Sequence, residues 1–467
     1  MAWTRRNFLS SIAAAALPAR AAAPRINVVF VFVDDLGYGD LGVTGNRDVP
    51  TPNMDRLARN GIRFTQFTVA SPICSPSRTG VLTGQFPARH RIHSYLSDRK
   101  SNAAVEMPDW LDPEAPSVAR AFQQAGYRTA HVGKWHLGGG RDVGDAPLPQ
   151  AYGFEESLTS FEGLGDRLLI ENDGLSKQSA ALGNGEVTWA PKHRLTELYV
   201  DRAIEFMKRA GPEPFYLHLW PCDVHDAHIP REDLLAKYER FSKNPYQQKF
   251  YAVLDEFDRQ MGRLLDWLDA SGLAANTLVA LTGDNGPTAW PRYYKEGFVP
   301  PGSTAGDRGR KWSLYEGGIR QPFLARLPGV IPAGRVDTET VFTSVDLMPT
   351  FCAMAGVTPP RDEADGEDMS RALKGKTQRR KKPIFWSYTA KGAPQPGLEI
   401  DQSPSLAMRE GEWKLLMNPD GSRMEFYDLS TSPAEDANQA ETHKKRARRM
   451  AAQLSAWNAS LPVLKPG

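Results

Sequence analysis

Apolar runs that alternate with helical patterns dominate most of the chain. The first run, Ile26 to Val33, is nearly continuous in apolar, β-branched and aromatic residues, and it ends abruptly at Asp34. Such a run is typical of a strand that is buried on both faces of a parallel sheet. Helical patterns that end at glycines precede three further predicted strands, Thr129–Val132, Phe215–Trp220 and Thr277–Leu281. The alternation predicts an α/β fold with a large, mostly parallel sheet flanked by helices.

The pattern changes near the C-terminus. A basic and polar stretch at 374–383 is interpreted as a solvated surface linker. Short strands are predicted after it in the segments KPIFWSY, SLAMREGEWKLLM and MEFYDLS, which turn residues separate. The last helix is predicted from about Ala434 to Trp457. We therefore expect a larger α/β domain over 24–375 and a small α+β domain over 376–467.

Polar and ionisable side chains follow each of the four predicted strands. They are Asp34-Asp35, Lys134 with His136, Asp223 with His225, and Asp284-Asn285. The carboxyl ends of parallel strands meet at one edge of a sheet, and sites in open α/β folds form at that edge. Aspartate and asparagine are also common in caps and turns, which would explain any one of these pairs alone. Four such pairs at four strand ends indicate a shared site.

Oxygen donors form one part of this expected site. Asp34, Asp35, Asp284 and Asn285 supply three carboxylates and an amide, with no histidine or cysteine within the same clusters. Hard oxygen ligands of this kind favour Ca²⁺ or Mg²⁺ over zinc. Calcium is the preferred ion because it tolerates irregular oxygen cages.

Basic side chains form the other part of the expected site. They are Arg78, Lys134, His136, His225 and Lys311. Together they suit a tetrahedral oxyanion such as sulfate or phosphate, whose transfer is catalysed mainly by positioning and charge stabilisation. Each alone would be an ordinary exposed side chain, or a structural histidine in the case of His136.

Composition limits the classes of function. The chain has 467 residues, of which 41% are hydrophobic and 24% charged, so it is long enough to bury a large core. A formal net charge of +2 gives no electrostatic reason to expect nucleic-acid binding. Three cysteines, Cys74, Cys222 and Cys352, are too few for a disulfide scaffold. Cys222 and Cys352 are expected to be buried free thiols, and a pairing between them stays open.

The first residues have the features of an export signal. Arg5 and Arg6 precede a short apolar run with alanine-rich cleavage sites, and TRRNFL resembles a twin-arginine signal. The alternatives are a membrane anchor or an amphipathic helix, but the apolar run is too short to span a bilayer. We expect residues 1–23 to be removed and the protein to be exported to the periplasm without a transmembrane anchor. Loss of Arg5, Arg6 and Arg20 would change the net charge from +2 to −1.

The segment SPICSPSRTGVLTG places Cys74 beside Pro76, Ser77 and Arg78, just before a helical pattern. It resembles the C-x-P-S-R motif of the type I, formylglycine-dependent sulfatases of the alkaline phosphatase superfamily. Further blocks follow the family's order over essentially the whole mature chain, among them VVFVFVDDLGYGDLG, GYRTAHVGKWHLG, LTGDNG and KWSLYEGGIRQPFLARLPG. Five residues alone could match by chance, whereas the ordered set is highly specific.

The resemblance implies a sulfuric ester hydrolase whose nucleophile comes from Cys74. In this family a maturation enzyme oxidises the motif cysteine to formylglycine (3-oxoalanine), and Pro76 and Arg78 belong to its recognition signal. One hydroxyl of the aldehyde hydrate attacks sulfur, and the second lets the diol collapse and expel sulfate. By position, the modified Cys74 resembles a calcium ligand, together with Asp34, Asp35, Asp284 and Asn285.

The other catalytic roles also carry over by position. Arg78 and Lys134 would hold the formylglycine hydrate, and His136 would assist its deprotonation. Lys311 and His225 would bind sulfate oxygens, and one of them would protonate the leaving group.

Three positions depart from the family pattern or leave a choice. His225 and His228 compete for one role in CDVHDAHIP, where His225 matches better. Arg308 and Arg310 are near alternatives to Lys311. The longer form of the motif usually ends near a glycine, and this chain has Arg91 there. The difference affects the expected local loop geometry but not the expected chemistry.

Sulfated carbohydrate is the expected substrate class, with exo-acting hydrolysis of a glycan or polysaccharide as the expected form. Aromatic segments that could line a sugar subsite include YLSDRK, YGFEESLTSFEGLGD and WPRYYKEGF, although packing is the commoner role of such residues. One alternative is a phosphodiesterase or phosphonate monoester hydrolase of the same superfamily, which the sulfatase-like blocks disfavour. The other is a non-catalytic sulfoglycan-binding protein, which would not need Cys74 in a conversion motif.

Overall fold

A computed structural model describes residues 25–360, 364–389 and 391–462. The export signal that the sequence predicts over 1–23 lies outside these described residues. Within them, no helix combines the length and the apolar character that crossing a membrane requires.

Two larger sheets and a pair of short strands contain the β-structure of the described residues. The strands are β1 (Asn27–Val33), β2 (Ile62–Phe64), β3 (Phe67–Thr68), β4 (Arg128–Gly133), β5 (Glu156–Thr159), β6 (Arg167–Ile170), β7 (Val187–Ala190), β8 (Phe215–Trp220), β9 (Thr277–Gly283), β10 (Phe323–Arg326), β11 (Arg335–Asp337), β12 (Phe342–Thr343), β13 (Ile384–Ser387), β14 (Leu406–Glu410), β15 (Trp413–Met417) and β16 (Glu425–Asp428).

Helices flank these strands, and short 3₁₀ turns join several of the elements. The helices are α1 (Pro52–Arg59), α2 (Cys74–Thr83), α3 (Arg99–Ala104), α4 (Val118–Gln124), α5 (Gly174–Ala181), α6 (Leu195–Ala210), α7 (Glu232–Tyr238), α8 (Pro245–Ala270), α9 (Pro291–Lys295), α10 (Glu316–Ile319), α11 (Leu347–Ala355), α12 (Ser370–Leu373) and α13 (Lys444–Ala459).

The large sheet has ten strands in the order β11-β2-β10-β9-β1-β8-β4-β5-β6-β7. Of these strands, β10 alone runs antiparallel to its neighbours, so the sheet is mostly parallel, as the sequence predicts. The four strands predicted from apolar runs are β1, β4, β8 and β9. They are adjacent in the order β9-β1-β8-β4, which brings their carboxyl ends side by side.

Strand β1 shows how the sheet joins two hydrophobic layers. Val28, Phe30 and Phe32 belong to one buried cluster, whereas the alternating residues at 29, 31 and 33 belong to a second one. Helices α2, α4 and α11 cover the first face, and α1, α6 and α8 cover the second. Each fully buried side chain of this kind contributes roughly 1.5–3 kcal/mol, which explains why the strand contains almost no polar residue.

The small sheet β13-β14-β15-β16 is antiparallel and packs against α13, which confirms a small α+β part. The predicted start of the last helix at Ala434 is wrong, because α13 begins at Lys444. Polar side chains hold the intervening segment in other contacts: the Ser432 hydroxyl accepts the N–H of Asp436, and the Asn438 side chain accepts the N–H of Phe426. Such local hydrogen bonds compete with helix formation.

The basic stretch at 374–383 is largely exposed, as expected, but it is not uniformly solvated. The Arg380 side chain is buried and pairs with the buried Asp346. The domain boundary at 375/376 stays a prediction. The hydrophobic cluster on the first face of the large sheet continues into β13–β16 without interruption.

Lys414 connects the small sheet to α10 through two buried ion pairs. Its Nζ lies 2.8 Å from Glu316 Oε1 and 2.9 Å from Glu435 Oε1, and none of the three side chains is more than 2% exposed. Lys414→Met would leave two buried carboxylates without this partner. We expect it to lower the free energy of unfolding by about 3–5 kcal/mol, measured by urea-induced unfolding.

Lys444→Met is the matched control, because its partner Glu441 is on the surface. Its free energy of unfolding should stay within about 0.5 kcal/mol of the wild-type value. Equal stability of the two variants would contradict a stabilising role for the buried network.

Candidate active site at the carboxyl ends of four strands

Backbone hydrogen bonds between the four central strands continue to the residues that directly follow the strand ends. The N–H of Asp34 donates to Pro221 O at 3.1 Å, and the N–H of Asp284 donates to Val33 O at 2.9 Å. The N–H of Lys134 donates to Trp220 O at 2.9 Å. The side chains that follow the strands are therefore placed by the sheet itself.

Asp34, Asp35 and Asp284 form a buried carboxylate cluster in which no member is more than 2% exposed. The N–H of Asp35 donates to Asp284 Oδ1 at 3.1 Å, and Asn285 Nδ2 donates to Asp35 Oδ1 at 2.7 Å. Asp35 has a φ of 59°, a left-handed conformation that is uncommon for residues other than glycine. Backbone strain of this kind concentrates at functional sites.

Each of the three carboxylates has a buried cation as its partner. Lys134 Nζ lies 2.7 Å from Asp34 Oδ2, and Lys311 Nζ lies 2.7 Å from Asp35 Oδ1. Arg78 Nη2 lies 2.6 Å from Asp284 Oδ2. Since an unpaired buried charge costs several kcal/mol, the three cations offset much of the cost of burying the carboxylates at this depth.

Helix α2 carries both Cys74 and Arg78. The two residues are one turn apart, so they lie on the same side of the helix, and all residues of α2 are buried. Cys74 Sγ lies 3.5 Å from Asp34 Oδ1. The Arg78 guanidinium packs against the adjacent rings of Phe32 and Trp220, with its carbon 5.6 and 5.1 Å from their centroids. These contacts and the ion pair with Asp284 restrict its orientation.

Burial and charge set different protonation states within the cluster. Burial disfavours ionisation of Asp34, but the positive groups around it, Lys134 first, hold its pKa well below the usual value. Burial and the neighbouring Asp34 raise the pKa of Asp284 to about 7. Burial raises the pKa of the Cys74 thiol to about 12, despite the nearby Lys134 and Lys311. Because the thiolate is the nucleophilic form, unmodified Cys74 is inert at neutral pH.

His136 is buried and has one free ring nitrogen. Its Nε2 lies 3.0 Å from the carbonyl oxygen of Leu96, so Nε2 carries the proton of that hydrogen bond. Burial holds the pKa of His136 well below its usual value, and the ring is therefore neutral. Nδ1 is then an acceptor, and no hydrogen-bond partner for it exists among the described residues. Nδ1 is therefore the ring position that is free to accept a hydrogen bond.

His225 and His228 make different contacts in the structure. His225 Nε2 lies 3.7 Å from Asp35 Oδ2, at the carboxylate cluster. His228 Nε2 instead lies 2.8 Å from the carbonyl oxygen of Val224, and its ring packs against Phe250. The geometry therefore favours His225 for the role that the sequence left between them.

Asp223 and the two arginines near Lys311 have structural contacts instead. Asp223 Oδ2 accepts the N–H of Thr196 at 3.0 Å, in the first turn of α6. Arg308 lies over the ring of Tyr315, and Arg310 Nε donates to the carbonyl of Thr288. Lys311 is thus the basic residue of its segment that reaches the carboxylates.

Comparison with known proteins decides the family. The model described as "Sulfatase" matches residues 26–357, and the model described as "N-sulphoglucosamine sulphohydrolase, C-terminal" matches residues 309–459. Arylsulfatase A of Homo sapiens is 31% identical over 439 residues, which are 89% of this chain and 79% of the relative. The chain belongs to the sulfatase family. It is a sulfuric ester hydrolase of the alkaline phosphatase superfamily.

Other relatives and solved structures agree with this family. The N-acetylgalactosamine-6-sulfatase of Sus scrofa is 32% identical, over 82% of this chain and 72% of the relative. The N-acetylgalactosamine-6-O-sulfatase of Bacteroides thetaiotaomicron is 25% identical, over 92% of each chain. The fold is similar to Ps i-CgsB in complex with k-i-k-neocarrahexaose, with a TM-score of 0.76, 24% identity and coverage of 93% and 92%. The phosphonate monoester hydrolase of Agrobacterium radiobacter gives a TM-score of 0.62 at 19% identity, with coverage of 93% and 96%.

Two aromatic residues of the sulfatase site were not assigned from the sequence. The ring of Phe161 lies 5.1 Å from Lys134 Nζ and 4.9 Å from the His136 ring. The ring of Trp312 lies 5.3 Å from Lys311 Nζ. Phe161 belongs to one of the aromatic segments that the sequence singled out, and Trp312 directly follows Lys311. These features of the sequence do not indicate that either ring packs against a lysine ammonium group, because the path of the loops decides that contact.

The oxygen donors fit a divalent cation. Ligand atoms of Asp34, Cys74 and Asp284 all lie within 4.8 Å of one another, as do those of Asp35, Cys74 and His225. Asn285 Oδ1 is buried and has no hydrogen-bond partner in the part of the chain that the structure describes. An unpaired buried amide oxygen is costly unless it has a ligand. Its presence beside three carboxylates fits a divalent cation that prefers oxygen ligands.

The protonation states predict how the cysteines of unconverted protein react. Burial raises the pKa of Cys74 and Cys352 to about 12 and that of Cys222 to about 11, so all three thiols are neutral below those values. At about pH 8, roughly one Cys74 thiol in ten thousand would be ionised. We expect iodoacetamide to label the three free, buried cysteines only after denaturation.

Peptide mass spectrometry of native and denatured samples measures this labelling site by site. Glutathione in the same reaction is the control for an exposed thiol. Rapid labelling of Cys74 in the native protein would show that the thiol is accessible and ionised, in contradiction to the site described here.

Proposed function

We propose that this sulfatase hydrolyses sulfate esters of carbohydrates by means of a formylglycine derived from Cys74 and a bound Ca²⁺ ion. The position of Cys74 carries the proposal. Its side chain lies at the junction of the carboxylate cluster and the basic residues, yet its pKa of about 12 makes the thiol inert. A cysteine at such a position needs conversion to act as a nucleophile. The N-acetylgalactosamine-6-sulfatases among the relatives support a sulfated sugar as substrate.

Side chains on one side of the site prepare the nucleophile. Formylglycine, as its hydrate, supplies the attacking oxygen and a second hydroxyl for the release of sulfate. Arg78, which packs against two aromatic rings and donates to the carbonyl of Lys134, and Lys134 itself would orient the hydrate at residue 74 by hydrogen bonds. His136 accepts the proton of the hydrate at Nδ1, because its Nε2 is already used by Leu96.

Side chains on the other side bind the sulfate group. Lys311 and His225 lie against Asp35, whereas Lys134 lies against Asp34. Both present nitrogen atoms to sulfate oxygens, and one of them donates a proton to the leaving oxygen of the sugar. Asp34, Asp35, Asp284 and Asn285 would hold the calcium ion, which adds positive charge next to the same oxygens.

Conversion of Cys74 and sulfate release are tested in one protein preparation. The protein is made in a host that can form formylglycine, and we expect the Cys74 peptide to be lighter by exchange of sulfur for oxygen and loss of two hydrogens. The converted protein should release sulfate from at least one of N-acetylgalactosamine 6-sulfate, N-acetylglucosamine 6-sulfate and carrageenan oligosaccharides. Cys74→Ala should lower the rate at least about a thousandfold.

Cys352→Ala, at a buried cysteine in α11, is the control and should keep the wild-type rate. An unmodified Cys74 in a host that converts another sulfatase would contradict the formylglycine proposal. Faster hydrolysis of phosphate diesters or phosphonate esters than of any sulfate ester would favour the alternative activity of the superfamily.

Calcium binding is tested without turnover, by thermal unfolding after treatment with a chelator. We expect added Ca²⁺ to raise the melting temperature, because a ligand at a hundred times its Kd stabilises the native state by about 2.7 kcal/mol. Asn285→Ala removes the unpaired amide oxygen and should abolish most of the calcium-dependent rise. Asp420→Asn, in an exposed turn, should leave it unchanged. An equal response of both variants and the wild-type protein would place the calcium site elsewhere.

A further inference from the structure

The segment 286–300, which follows β9, is hydrogen-bonded to the two loops that carry His225 and Lys311. On one side, the Tyr293 hydroxyl donates to Asp226 Oδ2 at 3.1 Å, directly beside His225. On the other side, the N–H of Lys311 donates to the carbonyl of Pro287 at 3.0 Å. The segment is therefore fixed between the two loops that carry the proposed sulfate-binding residues. Side chains on its outer surface lie next to any group attached to the sulfate.

Trp290 and Val299 are the exposed large apolar side chains of this segment, and Trp290, the aromatic one, is 47% exposed. Its ring centroid lies 5.8 Å from that of Trp312, which is buried and in turn 5.3 Å from Lys311 Nζ. The N–H of Trp312 donates to the carbonyl of Pro72 at 2.9 Å, two residues before Cys74. Two packed indole rings thus lead from the site to the surface, and Trp290 forms the outer end.

The exposure of Trp290 is unusual enough to need a reason. Among the described tryptophans, Trp189 and Trp290 are the exposed ones, and Trp189 lies on β7 at the far edge of the large sheet. A tryptophan ring offers a rigid apolar surface that is stabilised by burial against a partner. Apart from its contact with Trp312, nearly half of the Trp290 surface is left uncovered by the described residues, so a ligand can cover it.

The form of this surface favours a sugar ring. Lys311 and His225 can hold the sulfate group, but they offer no apolar surface for the rest of a substrate. A pyranose has one face of C–H groups and a polar edge, so it can stack on an open ring while its hydroxyl groups stay in water. A large apolar alcohol would instead need an enclosed pocket around its whole surface.

We propose that Trp290 is the platform on which the sugar ring of the substrate stacks while its sulfate lies at Lys311 and His225. The proposal rests on the proposed function, since it assumes a sulfated carbohydrate. It makes Trp290 a specificity-determining residue that contacts the sugar and takes no part in the chemistry. Trp312 is a positioning residue in this arrangement, because it supports Trp290 from below.

Trp290→Ala and Trp290→Phe test the platform, with Trp189→Ala as the matched control for an exposed tryptophan. The probes are inorganic sulfate, as a competitive inhibitor, and the sulfated sugar of the panel above that the wild-type protein binds most tightly. Loss of stacking should raise KM for the sugar about tenfold in Trp290→Ala. The value of kcat should change less than twofold, and the inhibition constant of inorganic sulfate should not change. Trp290→Phe should recover most of the loss, and Trp189→Ala should match the wild-type protein.

An unchanged KM in Trp290→Ala would overturn the platform. A parallel rise in KM and in the inhibition constant of sulfate would also overturn it, because Trp290 would then act on the sulfate pocket through Trp312. Calorimetric titration with the same sulfated sugars measures binding independently of turnover. A wild-type protein that releases no sulfate would contradict the proposed function, whereas weaker sugar binding by Trp290→Ala would still support the platform.

Discussion

The balance of buried charge at the ends of β9, β1, β8 and β4 is the constraint on which the rest of the site depends. Three carboxylates are buried together almost without access to water, and the N–H of Asp35 donates to the side chain of Asp284. Such an arrangement would be strongly destabilising unless each negative charge had a partner. Lys134, Lys311 and Arg78 supply the partners, and they arrive from three separate parts of the chain. The order of strands in the sheet is what makes this convergence possible.

The small C-terminal sheet contributes to the site although it carries none of the catalytic candidates. It holds the segment that contains Lys311: the N–H of Leu314 donates to Ser403 Oγ at 2.8 Å, and the N–H of Glu316 donates to Glu435 Oε2 at 2.5 Å. Lys414 then joins Glu316 and Glu435 in one buried network. The position of Lys311 therefore depends on contacts made more than a hundred residues later in the chain.

The sequence predicts the central strands and the groups that follow them because apolar runs and abrupt polar ends are local signals. It also singles out Cys74 and Arg78 by their motif. It does not predict which cation pairs with which carboxylate, since the spacing from Asp35 to Lys311 contains no information about loop geometry. The contacts of Phe161 and Trp312 with lysine ammonium groups were not predicted for the same reason. The late start of α13 and the burial of Arg380 were missed because tertiary partners, Phe426 and Asp346, override the local pattern.

The electrostatics of Cys74 indicate the kind of nucleophile that the site can use. Lys134 and Lys311 would normally stabilise a thiolate, yet burial together with Asp34 and Asp284 outweighs them and keeps the thiol neutral. The cationic side chains of the site already form ion pairs with carboxylate oxygen atoms. Such a site favours a nucleophile that is neutral at rest and loses its proton only as it attacks. The hydroxyl that the proposed formylglycine hydrate would supply at residue 74 meets that requirement, and His136 adds a neutral ring with a free Nδ1 to the same group of strand-end residues.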